Sequence, residues 1–103
     1  MRDVASVFAA LGDATRLQIV AQLCANGPQS IVRLTDGAKV SRQAVTKHLH
    51  ALAGAGLVRS ARDGRERIWA IQTKRLGEAN RYLDQISAQW DAAIDRLRAF
   101  VET

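Results

Sequence analysis

Leu76, Leu83, Trp90 and Leu97 recur every seven residues, and Ala79, Ile86, Ala93 and Phe100 fall three after each. This is an a/d seam about four heptads long, widened by Ile94 and Val101. It predicts one long helix over about 74–102, capped by Thr73. At 1.5 Å per residue such a helix reaches roughly 40 Å. A chain of 103 residues builds only a modest core. The seam outlasts that core, so it is expected to meet a partner helix, its own copy in a dimer. The alternative is a seam that packs only on its own domain.

The rest of the chain is punctuated for a small helical domain with one hairpin. Val4, Val7, Phe8 and Leu11 lie at helical spacing, closed by Gly12. Asp13 caps a second helix, whose buried side is expected to hold Leu17, Ile19, Val20 and Leu23, with Cys24 beside them as a core thiol. Asn26-Gly27-Pro28 ends it. Ser30 caps a short third helix carrying Ile31 and Leu34, and Asp36-Gly37 breaks it. Ser41 caps a fourth, ended by Gly54 and Gly56. Leu57 to Arg62 and Arg65 to Ile71 read as two strands around an Asp63-Gly64 hairpin turn. No linker divides the chain, so residues 1–103 are expected to form a single domain.

Charge is unevenly spread. The net is +5. Residues 39–75 hold nine Lys/Arg against Asp63 and Glu66, whereas the remainder is slightly acidic. The excess marks a surface for a polyanion, most often nucleic acid; a merely soluble basic surface is the plainer alternative. A single cysteine cannot close an internal disulfide, and no stretch resembles a signal peptide or a membrane span. A cytoplasmic setting follows as the expectation.

The stretch VSRQAVTKHLHAL, residues 40–52, carries the most specific information. At 100° per residue, Val45, Leu49 and Leu52 share one narrow arc, the buried side. Gln43, Thr46, Lys47 and His50 point the other way, with Arg42 at the flank of the first turn. Amide, hydroxyl, ammonium, imidazole and guanidinium groups on one face suit phosphates and base edges. His48 falls at the edge of the buried arc, where a packed helix-to-helix contact is expected. The i, i+2 spacing of His48 and His50 does not let them grip one metal, and no cysteine cluster completes a site. Paired carboxylates, a nucleophile elbow and a glycine-rich phosphate loop are all lacking, so the chain is not read as an enzyme.

Helix, helix, short helix, helix, hairpin and long helix make a winged helix-turn-helix (ααααββα), mainly α with a small β-hairpin. The fourth helix is its recognition helix and Arg62, Arg65 and Arg67 make its wing basic. Candidate DNA-binding residues are Lys39, Ser41, Arg42, Gln43, Thr46, Lys47, His50, Arg62, Arg65 and Arg67. Candidate dimerisation residues are Val4, Phe8, Leu83, Ile86, Trp90, Ile94, Leu97 and Val101.

Three segments resemble the ArsR/SmtB-type repressors. Residues 8–20, FAALGDATRLQIV, are similar to the family's second-helix entry, although that entry often has proline where Ala14 stands. Residues 40–49 match its recognition-helix pattern, and Leu52 through Gly56-Leu57-Val58 its exit into the wing. The resemblance implies a homodimer that binds a near-palindromic double-stranded operator and represses transcription. It does not carry over a metal site. The thiolate cluster of metal-sensing members would fall on Ser30–Thr35, which holds no cysteine. In the last helix, Asp84, Asp91, Asp95 and Glu102 stand without a histidine. Tyr82, Trp90 and Phe100 are more like the non-metal branch. No cofactor is expected and no effector is named. Two alternatives stay open: a metal- or redox-responsive sensor using Cys24, and an interaction or antitoxin-like adaptor for which DNA is secondary.

Overall fold

The computed structural model describes residues 4–36 and 39–102. In chain order they form α1 (Val4–Leu11), α2 (Ala14–Asn26), β1 (Gln29–Ser30), α3 (Ile31–Thr35), α4 (Arg42–Gly54), β2 (Val58–Asp63), β3 (Glu66–Ile71) and α5 (Thr73–Glu102). Gly37, expected to help break the third helix, lies outside the described residues.

Local chemistry sets the helix starts. Asp13, in extended backbone, accepts from the Arg16 N–H at 3.1 Å. Ser30 accepts from the Arg33 N–H at 3.3 Å, and Ser41 from the Ala44 N–H at 3.2 Å. Each satisfies one of the N–H groups that a first helical turn leaves free. The Arg16 N–H, the largest cause, holds the half-buried Asp13 carboxyl below its ordinary value.

The ends are equally local. Gly27 takes φ 76° after α2 and donates to the Leu23 carbonyl at 2.9 Å. At the end of α4, Gly56 (φ 78°) donates to Ala53 and Leu57 donates to Leu52, both at 3.0 Å. That pair of bonds is a Schellman motif, and Leu52 and Leu57, its accompanying apolar contact, are both fully buried. Gly56 is therefore the terminator, and Gly54 lies inside the last turn.

One core gathers α1, α2, α3, α4, the sheet and the start of α5. Val7, Val45, Leu49, Leu52 and Leu57 are fully buried, with Ile19, Leu23, Leu34, Val58 and Trp69 nearly so. Burying each large aliphatic stabilises the fold by about 1.5–3 kcal/mol. The Val45-Leu49-Leu52 row sits as its helical spacing requires.

On α2 the structure corrects the sequence. Ile19 and Leu23 are buried, but Leu17 is 51% exposed and Cys24 is exposed. The reason is angular. Leu17 and Cys24 lie roughly 160° and 140° around the helix from Ile19. A helix apolar nearly all round can offer only one arc to a single core, and Ile19 and Leu23 define it.

The sheet has three strands in the order β1-β3-β2, all antiparallel. β1 was not expected. It exists because Gln29 and Ser30 pair with Trp69 and Ile68. The hairpin also differs by one residue. Asp63 pairs with Glu66, so Gly64 and Arg65 are the two central residues. Gly64 takes φ 64°, and no described non-glycine residue has positive φ. A II′ turn needs positive φ only at its first central position, which Gly64 supplies; a turn centred on Asp63-Gly64 would have asked it of Asp63 as well. Arg65 consequently stands at the wing's tip. At the wing's base, the Gln72 N–H donates to the Leu57 carbonyl at 2.9 Å.

α5 joins the core through its first three turns. The Phe8 and Tyr82 rings lie 6.1 Å apart, and Arg75 donates to Ser6 while pairing with Glu78. Ala79 is its one buried residue. Beyond it Leu83, Ile86, Trp90, Leu97, Phe100 and Val101 are all exposed, Trp90 by 65%. The helix projects outward, and the molecule extends 67 × 31 × 20 Å. No single described helix is long and apolar enough to cross a membrane.

Candidate nucleic-acid interface

α4 is fixed from below and open above. Its apolar row anchors it in the core, and His48 fixes its side. Arg16 donates from Nε to His48 Nδ1 at 3.2 Å and from a terminal nitrogen to the Ala10 carbonyl at 3.1 Å. Asp13 Oδ1 lies 3.9 Å from the same ring nitrogen. His48 is thus the packed interhelical contact expected from its position on the wheel.

The outer face of α4 brings four of the candidate residues together. Arg42, Gln43, Thr46 and Lys47 line one open depression. Arg42, Gln43 and Lys47 are exposed; Thr46 is half-buried and donates its hydroxyl to the Arg42 carbonyl at 2.9 Å. That bond spends the Thr46 proton on the helix and leaves its oxygen lone pairs as acceptors. Ser41 caps the helix, so its hydroxyl serves α4 itself. Lys39 is exposed just before the cap.

His50 is placed apart from this group. It is exposed, but its ring meets Trp69 edge-on, with centroids 5.8 Å apart and planes at 87°. The contact ties the C-terminal half of α4 to the sheet. An imidazole held this way can still offer a nitrogen outward, but it also braces the wing against the helix.

The wing is polarised. Side chains on a strand alternate between faces, and directly paired residues share one. Val58/Ile71, Ser60/Trp69 and Arg62/Arg67 are therefore on one face, which carries the core at its base and two guanidiniums near its tip. Asp63/Glu66 fall on the other. Arg67 donates to Ser60 Oγ at 2.8 Å. Arg62, Arg65 and Arg67 are all exposed.

The two parts meet. A groove of about 280 Å³ runs between the start of α3, Arg42 of α4 and the wing, and Arg42, Arg62, Arg65 and Arg67 all line it. Arg42 borders both this groove and the depression along α4. The result is one continuous basic surface, with hydrogen-bonding groups on the helix and charge on the wing. Sequence reasoning found its residues; it did not find their convergence, nor the α3 wall, which only the tertiary fold reveals.

The remaining candidates lie elsewhere. Val4 and Phe8 are half-buried against the core, Ile94 is half-buried, and Leu83, Ile86, Trp90, Leu97 and Val101 form the exposed stretch of α5. Among the described residues no three His, Cys, Asp or Glu side chains come together as a metal site.

Residues 11–61 match a family model described as a helix-turn-helix domain. The chain is 30% identical over 82 residues to an uncharacterised HTH-type transcriptional regulator of Methanocaldococcus jannaschii, covering 80% of this chain and 92% of that one. It is 38% identical over 77 residues to the Bacillus subtilis HTH-type regulator YuzN, covering 69% and 84%. Among solved structures it is similar to an ArsR-like transcriptional regulator from a Rhodococcus species, with TM-score 0.77, 40% identity and 94% and 91% coverage. It is also similar to a homodimeric winged helix-turn-helix DNA-binding domain from Mycobacterium bovis, a possible ArsR-family regulator (TM-score 0.61, 26% identity, 89% and 78% coverage).

Proposed function

Since the chain belongs to the ArsR family of winged helix-turn-helix transcriptional regulators, we propose that it acts as a homodimeric repressor on a near-palindromic operator, with α4 in the major groove and the wing beside it. The observation that carries this reading is the continuous basic surface. The α4 face presents Gln43, Thr46 and Lys47 where base edges would lie, and the wing arginines adjoin it through Arg42. Gln43 suits adenine and Lys47 suits guanine, by the geometry of their donors and acceptors. Lys39 and Arg42 are placed for phosphate, and Arg65, at the tip of the turn, for the minor groove or its rim.

The dimer reading is supported by α5. Its exposed aromatic and aliphatic seam is the surface a second copy would cover, and Val4 and Phe8 lie where α1 would join it. The Mycobacterium bovis relative is described as homodimeric. A twofold dimer presents two α4 helices, so the operator should carry two half-sites one helical turn, or a multiple, apart. A DNA regulator of this kind works in the cytoplasm.

The test is selection of genomic DNA fragments with purified protein. Enriched fragments sharing a dyad-symmetric site support the reading. Recovery no different from mock selection, or enrichment of sites without dyad symmetry, contradicts it.

A further inference from the structure

The wing carries a feature that the fold does not require. Arg62 and Arg67 are direct cross-strand partners on one face. Like charges placed opposite each other on a sheet destabilise it by a few tenths to about 1 kcal/mol. Asp63 and Glu66, a step nearer the tip, make a second like-charged pair on the other face. Exchanging one member of each pair would have given two salt-bridged pairs on the same backbone. Instead each pair is of one sign.

The wing borders the groove of about 280 Å³. Four arginines line it from two directions, Arg42 from the first residue of α4 and the others from the wing. Among the described residues Glu66 is the one carboxylate on its lining. Arg42 also sits at the N-terminal, positive end of α4's dipole. An anion entering here meets converging donors, and it lowers the Arg62–Arg67 repulsion as it binds.

We propose that this groove is a phosphate clamp: one backbone phosphate of the bound duplex is gripped at once by Arg42 from the recognition helix and by the Arg62–Arg67 pair from the wing. This inference rests on the DNA-binding reading above and specifies how that surface works. The clamp makes helix and wing engage DNA as a unit. It fixes the register of α4 in its groove, because the phosphate that positions the wing also positions the first turn of the helix. It is sequence-independent, so it acts on any duplex.

The test therefore needs no operator. Binding of a random-sequence duplex is measured across a salt series for the wild type, Arg42→Ala, Arg67→Ala and the double variant. Both positions are exposed, and thermal melts verify folding. Each neutralised phosphate contributes about 0.9 to the slope of log affinity against log salt. Under the clamp, the double variant flattens the slope by about one unit, and its affinity loss is well below the product of the two single losses. Multiplicative losses with a slope change near two units would mean two separate phosphates and would overturn the clamp while leaving DNA binding intact. Unchanged affinity in both single variants would also overturn it. Absence of duplex binding by the wild type would remove the DNA reading itself, and the clamp with it.

Discussion

Arg16 on α2 donates from Nε to Nδ1 of His48 on α4, at 3.2 Å. A guanidinium can donate only to a bare ring nitrogen, so the His48 proton sits on Nε2. The bond links the helix that carries the buried Ile19–Leu23 row to the helix proposed to read DNA. It bears on the angle at which α4 is presented, a matter separate from the contacts α4 makes.

His48→Ala removes the acceptor and leaves the Arg16 guanidinium beside it with one partner fewer. The expected cost is about 1 kcal/mol of stability, with weakened DNA affinity although His48 is not among the proposed DNA contacts. Urea unfolding and duplex binding measure the two effects. Asp13 adds a pH dependence of known sign. Its folded carboxyl titrates below the ordinary 3.8, so its capping stabilises the fold above that value and is lost as pH falls through the lower folded one. An Asp13→Ala variant that kept the wild type's full acid response would contradict that assignment.

Gln43→Ala should cost about 1–3 kcal/mol on the cognate site and relax its specificity, with little effect on random DNA. Competition binding against cognate and random duplexes separates the two. Equal losses on both would defeat the base-reading role.

Arg62→Thr should move stability and function in opposite directions. It removes the cross-strand repulsion and adds a β-branched strand former, a gain of up to about 1 kcal/mol in the free protein. It also strips the wing of a proposed DNA contact, so duplex affinity should fall. A variant that melted earlier than the wild type would show that the Arg62–Arg67 pairing carries no repulsive cost.

Trp90→Asp tests the α5 seam. Trp90 is 65% exposed and lies beyond the core, so the change should spare the fold of the protomer and break self-association. Light scattering at micromolar concentration should give dimer for the wild type and monomer for the variant. A monomeric wild type would end the dimer reading.

Much of this was legible in the sequence where the governing physics is local. Asp13, Ser30 and Ser41 cap because a side-chain oxygen reaches an N–H three residues on, and the Val45-Leu49-Leu52 row follows from helical period alone. What escaped was set by tertiary partners. Two residues, Gln29 and Ser30, make a strand only because Trp69 and Ile68 lie alongside. Leu17 and Cys24 are apolar in type, but which arc of α2 is buried depends on where the other helices pass. The wing turn moved by one residue because Asp63-Gly64 and Gly64-Arg65 share the glycine, and pairing decided which position it took. The basic residues of the site were all nameable in advance. That Arg42 and the wing arginines share one groove was not, because they meet only across the fold.

The proposed DNA surface is α4 and the wing, and not the projecting α5. NMR chemical-shift mapping tests it most directly, by titrating isotope-labelled protein with a duplex. The largest shifts are expected at residues 42–47 and 62–67, with the exposed stretch of α5 little changed. Shifts concentrated on Leu83 to Val101, with α4 and the wing silent, would contradict it.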